Sequence, residues 1–271
     1  MKNLFSSILL ISLIFSCKDD KKEPITTINT KTISIPESVK AVIDAAKKDS
    51  TNTDLQLQVV TALDSLGLYK EALLKIDKLI TNDSLNNTFW LKRGLICKQI
   101  GDTAAAIKAF RYSAKIYPTP TALMELANLY AETKNIAALN ISKQLMQMNP
   151  GGDYNAQAYL LAGIYYAKIG EKLNALKLFD KSISEDFHLS EAYLEKGYLL
   201  YEETKYKEAL QNFIQLSQIN QSYADAYYWI GKCSEALNDR QKAIDSYQKS
   251  LQLDSSIKEA TIAIERLKKT K

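Results

Sequence analysis

The sequence predicts an all-α protein built from a stack of similar helix pairs. Glycine (9) and proline (5) are scarce among the 271 residues, which favours long helices with short turns over many strands. The chain is 46% hydrophobic and 24% charged, as expected for a globular protein. From residue 53 onwards, equivalent residues recur at a fixed spacing, and such a spacing is typical of a solenoid.

Three stretches carry the repeat: WLKRGLICKQIGDTAAAIKAF, YLLAGIYYAKIGEKLNALKLF and YLEKGYLLYEETKYKEALQNF, which begin at Trp90, Tyr159 and Tyr193. In each, a glycine follows the aromatic residue after four positions, an alanine comes twelve positions later, and a phenylalanine four further on. A further copy begins at Tyr227. The glycines of the last three copies are 34 residues apart.

These residues resemble the tetratricopeptide repeat, a two-helix unit of 34 residues. The copy that begins near Trp90 matches the family pattern best, whereas one copy has Ala127 at the glycine position. The resemblance implies an α-solenoid, a right-handed superhelix of about six helix-turn-helix repeats with flanking helices. The predicted repeats are 53–86, 87–120, 121–155, 156–189, 190–223 and 224–257.

The repeated residue types suit close helix packing. A glycine inside a helix costs up to about 1 kcal/mol relative to alanine, so we expect it where the second helix of a pair must approach closely. We expect the repeated alanines to serve the same purpose from the other helix. The first-helix aromatics are predicted to fill the space between helices. They are Trp90, Tyr159, Tyr193 and Tyr227.

The chain divides into five predicted parts. Residues 1–16 are a signal peptide and 17–36 a charged, threonine-rich tether. Residues 37–52 form an N-terminal capping helix, 53–257 form the repeats, and 258–271 form a C-terminal helix with one polar face, a cap that such arrays need.

Cys17 ends an apolar run, LFSSILLISLIF from residue 4 to 15 followed by serine. Twelve helical residues span about 18 Å, short of the ~30 Å bilayer core, so the run is typical of a signal peptide. Ile14-Phe15-Ser16-Cys17 resembles the lipobox of bacterial lipoproteins. The resemblance implies that Cys17 is lipidated and becomes the first mature residue. The alternative is an ordinary signal peptide that contains a cysteine.

The residues after Cys17 bear on localisation. Lys18 in place of aspartate is similar to lipoproteins that move to the outer membrane, and Lys18-Asp19-Asp20 is similar to a surface-export signal. We therefore expect an outer-membrane lipoprotein of the cell envelope, with surface exposure left open. The alternative is that these charges merely solvate a tether.

The sequence offers little for catalysis, so we expect no enzyme, no cofactor and no metal site. His188 is the single histidine and has no histidine or cysteine near it in sequence. Cys97 and Cys233 lie in apolar helices four repeats apart, too far for a disulfide. A formal charge of +4 is too small to suggest nucleic-acid binding.

In tetratricopeptide arrays the first helix of each repeat lines a concave groove, and the resemblance implies a groove here that binds a protein partner. The positions where chaperone-binding members hold a carboxylate carry mostly leucine, isoleucine and tyrosine, so such a clamp is not expected. The predicted groove residues are Leu91, Leu95, Met124, Asn128, Leu160, Ile164, Leu194, Tyr198, Tyr201, Tyr228 and Lys232.

We therefore expect a membrane-anchored scaffold that holds a partner peptide or helix in this groove. Two alternatives stay open at this stage. Tight packing, or the N-terminal helix, would cover much of the groove. The protein would instead capture glycans if its tyrosines were clustered and exposed, since rings of this kind stack on sugars.

Overall fold

The computed structural model describes residues 35–148 and 154–269, and within these ranges the chain forms fourteen α-helices and no strand. The signal peptide, Cys17 and nearly all of the tether lie outside the described residues. The helices are α1 Glu37–Lys48, α2 Thr53–Ser65, α3 Tyr69–Asn82, α4 Asn87–Gln99, α5 Thr103–Ile116, α6 Pro120–Glu132, α7 Ala137–Met148, α8 Asn155–Lys168, α9 Lys172–Glu185, α10 Ser190–Glu202, α11 Tyr206–Ile219, α12 Ala224–Ala236, α13 Arg240–Leu253 and α14 Lys258–Lys269.

Six helix pairs, from α2/α3 to α12/α13, follow one another between α1 and α14. Each helix packs against the next one along the chain, and each pair packs against the following pair. This arrangement confirms the predicted all-α solenoid. We call the even-numbered helices α2 to α12 first helices and the odd-numbered helices α3 to α13 second helices.

The turns inside the pairs share one backbone feature. Each contains a residue with positive φ, a conformation that costs glycine little because it has no Cβ. Gly101, at φ 78°, is an example, and its amide bonds back to the last turn of α4. Many helices begin with a side-chain cap, as where Asp102 accepts a hydrogen bond from the amide of Ala105.

The glycines of the first helices lie directly against an aromatic ring. A Cβ placed on Gly163 would be 2.6 Å from the ring of Phe179, and the same holds for three other pairs. These rings are fully buried, so they fill the space between the two helices of a pair. The prediction that glycine permits close approach is confirmed. The four pairs are Gly94 with Phe110, Gly163 with Phe179, Gly197 with Phe213, and Gly231 with Tyr247.

The first-helix aromatics have a smaller part in this packing than predicted. Only Tyr193 is buried, whereas Trp90, Tyr159 and Tyr227 are half-buried. Trp90 stacks on exposed Tyr112 at a ring distance of 4.6 Å, near the surface. The interior is filled by the rings that face the glycines, because only those rings lie between the two helices.

The third pair, α6/α7, explains why alanine replaces glycine at position 127. Helix α7 has no aromatic residue, so no ring from the second helix of this pair faces Ala127. Ala127 instead packs in a cluster with Leu123 and Leu145, and all three are buried. The side chains packed inside this pair are smaller than the rings of the four pairs that contain a glycine, and the surface around the pair differs as a result.

The end helices α1 and α14 pack on the first and last pairs. Helix α1 packs Val42 and Ile43 against the first pair. Helix α14 buries Ala260, Ile264 and Leu267 against the last pair and exposes its polar face. No helix among the described residues is both long enough and apolar enough to cross a bilayer.

Replacing Gly163 with alanine should lower the free energy of unfolding, because the new methyl group overlaps the ring of Phe179. Overpacking costs about 1–3 kcal/mol, and the better helix propensity of alanine returns up to about 1 kcal/mol. Urea denaturation followed by circular dichroism measures the difference. In the Gly163→Ala background, Phe179→Leu should recover part of the loss. A single variant more stable than the wild type would contradict the steric account.

Candidate functional site

A groove of about 510 Å3 lies on the first-helix face and is lined only by residues of α4, α6, α8 and α10. We call it the first-helix groove. Its apolar residues come from α6 and α8, in the middle of the array. Its charged residues come from α4, α6 and α10. Its residues are Lys98, Met124, Glu125, Asn128, Glu132, Gln157, Leu160, Leu161, Ile164, Glu191 and Glu195.

Four of the predicted groove residues meet in this groove. Met124 and Asn128 come from α6, and Leu160 and Ile164 come from α8. Leu160 and Ile164 are buried, so each presents only an edge to the groove. The structure therefore brings four of the predicted residues together in one groove.

Three other predicted leucines do not line the first-helix groove. Leu91 and Leu95 are half-buried and pack against the cluster around Phe110. Leu194 is buried in the cluster that contains Phe213. Their main role is to hold neighbouring helices together, as the alternative of tight packing anticipates.

The predicted tyrosines form an aromatic cluster around Trp229 instead of an open trough. The ring centres of Tyr198, Tyr201 and Tyr228 lie 4.7, 5.2 and 5.8 Å from that of Trp229. All three are half-buried, and burial raises the pKa of Tyr198 and of Tyr201 to about 12. Lys232 lies over the Tyr201 ring at 5.8 Å. These residues mainly stabilise the last repeats.

Helix α1 is not among the elements that line the first-helix groove. It packs on the first pair through Val42 and Ile43, while the groove begins at Lys98 of α4. Within the described residues, the N-terminal helix therefore does not cover the first-helix groove.

Four glutamates and one lysine surround the groove. Lys98 pairs with Glu125, and Lys168, just outside the lining, pairs with Glu132, each at 2.6 Å. Within residues 35–148 and 154–269, Glu191 and Glu195 form no ion pair. The α10 side of the groove is therefore acidic and uncompensated.

The surroundings of Glu195 destabilise the charged form of its carboxylate. Burial raises its pKa above the usual value of 4.5, the nearby Glu132 raises it further, and the nearby Lys168 lowers it without cancelling the rise. The ionised carboxylate is destabilised in this position because it is partly buried and the nearby cation is paired with Glu132. Groups perturbed in this way concentrate at functional sites, although structural networks also produce them.

Sequence analysis missed the glutamates, although a signal was present. Glu125 follows directly after the predicted groove residue Met124, and Glu195 follows directly after Leu194. The repeat pattern places these glutamates one residue away from the predicted lining, on a helix surface that normally faces water. Only the close approach of α6, α8 and α10 brings them around one groove.

The other candidate chemical groups do not assemble into a site. The described residues contain no group of three or more histidine, cysteine or carboxylate side chains placed so that they could hold a metal ion. Cys97 and Cys233 are buried, and burial raises the pKa of the Cys233 thiol to about 12, which keeps it protonated. His188 is exposed.

Family models of the tetratricopeptide repeat match residues 60–119 and residues 224–257. The chain contains tetratricopeptide repeats. Proteins built from these repeats generally mediate protein–protein interactions. The two matched stretches include the second and the last of the six helix pairs, where glycine and ring follow the family pattern.

Solved structures show the same fold. A tetratricopeptide repeat protein from Parabacteroides merdae superimposes with a TM-score of 0.70 at 18% identity, over 85% of this chain and 91% of that one. PilW, a type IV pilus biogenesis factor, superimposes with a TM-score of 0.63 at 18% identity, over 80% of this chain and 98% of PilW. At these identities the likeness concerns the fold alone.

One curated relative is similar in sequence. Protein SGT1 homolog of Bos taurus is 29% identical over an alignment of 157 residues, which covers 56% of this chain and 40% of the bovine protein. The chain thus spans well under half the length of that relative.

Replacing Glu195 with glutamine should raise the melting temperature at neutral pH, because it removes a half-buried negative charge. The folded state holds the Glu195 proton more tightly than the unfolded state does. Its ionisation therefore costs stability as the pH rises from 4.5, the unfolded value, through the raised folded pKa.

Melting curves of the two proteins between about pH 4 and pH 8 measure this difference, which should shrink towards acid pH. Glu208→Gln, at an exposed site on α11, controls for the loss of one negative charge. A Glu195→Gln protein that melts below the wild type at pH 7 would show that the carboxylate has a partner.

Proposed function

We propose that this protein is a non-enzymatic, membrane-anchored scaffold that binds a segment of a protein partner in the first-helix groove. The observation that carries the proposal is the groove itself. It runs across four consecutive first helices and combines an apolar floor with two unpaired glutamates. A groove of this form suits an extended peptide or an amphipathic helix.

The charge of the groove specifies the partner segment. Met124, Leu160 and Ile164 offer contacts to apolar side chains, and Glu191 and Glu195 offer contacts to lysine or arginine. A cation beside Glu195 would stabilise the carboxylate that burial destabilises, so binding would recover a cost present in the free protein. The expected ligand is a basic segment with apolar residues.

Membrane anchoring is proposed from the sequence. The apolar run to Phe15 is followed by Ser16 and Cys17, and charged residues begin at Lys18. Lipidation of Cys17 would attach the chain to a membrane, with about nineteen residues of tether before α1. We propose an outer-membrane lipoprotein of a Gram-negative envelope, with the solenoid as its exposed domain.

The likeness to PilW supports an assembly role only by analogy of fold. PilW is described as a pilus biogenesis factor, and we propose a comparable assembly or adaptor role here. Glycan capture is less well supported, because Tyr198, Tyr201 and Tyr228 are half-buried around Trp229 and offer few free ring faces.

Reversing the two unpaired charges tests the groove. In cells that make the protein, a photo-crosslinking residue in place of Met124 should capture the partner, whereas one in place of Gln215, exposed on α11, should not. With Glu191→Lys and Glu195→Lys added, the Met124 crosslink should fall about tenfold because like charges then face the ligand.

The matched control carries Glu208→Lys and Glu265→Lys, two exposed sites outside the groove, and has the same net charge. Its crosslink should stay close to that of the parent protein. If both double variants lose the crosslink equally, or if position 215 captures the same partner, the first-helix groove is not the binding site.

Mass spectrometry of the mature N-terminus tests the anchor. We expect the chain to begin at Cys17 with a diacylglycerol on the sulfur, and Cys17→Ala to move the protein out of the membrane fraction. The repeats should still fold in that variant, which circular dichroism checks. A mature chain that begins elsewhere, without lipid, would leave the solenoid without this anchor and refute the lipoprotein assignment.

A further inference from the structure

A second groove, of about 790 Å3, lies on the opposite side of the third pair. It runs between α5 and α7, with α6 at its base, and we call it the second-helix groove. Its floor is apolar and contains Ile107, Leu123, Leu126 and Ile141. The groove is larger than the first-helix groove and shares no residue with it.

Short side chains line part of the opening of this groove. Ala104 and Ala114 of α5 and Ala137 of α7 lie there, beside the larger Tyr112 and Tyr130. Because an alanine side chain extends only a short way from its helix, the space between the second helices α5 and α7 stays open at these positions.

The rim of the second-helix groove is basic. Lys108, Arg111 and Lys115 follow one face of α5 over two turns, and none of the described residues that line the groove is acidic. All three are exposed, and none forms an ion pair within the described part of the chain. Three neighbouring like charges repel one another, so an anionic ligand would relieve a cost.

A smaller groove between α1 and α3 has the same character. Lys47, Lys75 and Lys78 line it, and no acidic residue lines it within the described part of the chain, although Lys47 pairs with Asp44. The first-helix groove, by contrast, has four glutamates and one lysine. The grooves on the two sides of the array therefore differ in charge, with basic linings between second helices and a mostly acidic lining along the first helices.

We propose that the second-helix groove binds an acidic amphipathic helix of a protein partner. The three cations cover about 10 Å along α5, which two turns of a helix with acidic residues at matching positions would face. The apolar floor would receive the neighbouring apolar side chains of that helix. The site lies on the other side from the first-helix groove, so the scaffold would hold two segments of opposite charge.

The tether is not the occupant that charge complementarity favours. Residues 18–34 contain four lysines and three acidic residues, a net charge of +1, the same sign as the rim. The apolar floor also favours a peptide over a nucleic acid, whose outer surface is phosphate. An acidic segment from another protein satisfies both the floor and the rim.

The test uses the full chain and a fluorescent helical peptide of about 15 residues, with glutamates at positions i, i+3 and i+7 and leucines on the adjacent face. Fluorescence anisotropy should show binding that weakens about tenfold when Lys108, Arg111 and Lys115 are all changed to glutamate. A peptide with glutamine in place of glutamate should bind more weakly to the wild type.

The matched control changes Lys207, Arg240 and Lys249 to glutamate, three exposed cations on other second helices, and should bind the peptide like the wild type. The Glu191→Lys, Glu195→Lys variant should also bind it at least as well, which separates this site from the first-helix groove. Circular dichroism confirms that all variants fold.

Three results would overturn the proposal. Equal weakening in both triple variants would mean that overall charge alone attracts the peptide. Binding to phosphatidylserine vesicles that depends on the three cations, without peptide binding, would identify a membrane contact. Self-association of the chain in analytical ultracentrifugation that the Lys108, Arg111 and Lys115 changes abolish would make a second copy the occupant.

Discussion

The contact between a first-helix glycine and a second-helix ring sets the geometry of the array. Where Gly94, Gly163, Gly197 and Gly231 occur, a fully buried phenylalanine or tyrosine fills the place of the missing side chain. This contact fixes how closely the two helices of a pair approach, and the repetition of that distance lets successive pairs stack with one continuous core.

The third pair departs from this contact, and both grooves involve its first helix. Without a ring in α7, the pair packs through Ala127 and Leu145. On one side α6 lies close to α8 and contributes Met124 to the first-helix groove. On the other side α6 forms the base of the second-helix groove. A local loss of regularity thus coincides with the surfaces that we propose bind partners.

Charge distinguishes the two surfaces. Along the first helices, Lys98 pairs with Glu125 and Lys168 pairs with Glu132. Glu191 and Glu195 form no ion pair among the described residues. Along α5 there are cations and no acidic residue. Because exposed pairs contribute little to stability, this separation has more consequence for partner choice than for the fold.

The sequence by itself determined the helix class, the repeat length and the residue types that make the pairs, since a local pattern at fixed spacing encodes these features. It also placed Met124, Asn128, Leu160 and Ile164 on the face of a groove. Tertiary structure decided the rest. The packing of the helices brings together side chains that are 30 to 70 residues apart in sequence. Tyr198 thereby packs on Trp229, and glutamates of α6 and α10 share one groove. A periodic sequence places residues on a helix face, and only the packing of neighbouring helices determines which faces stay open.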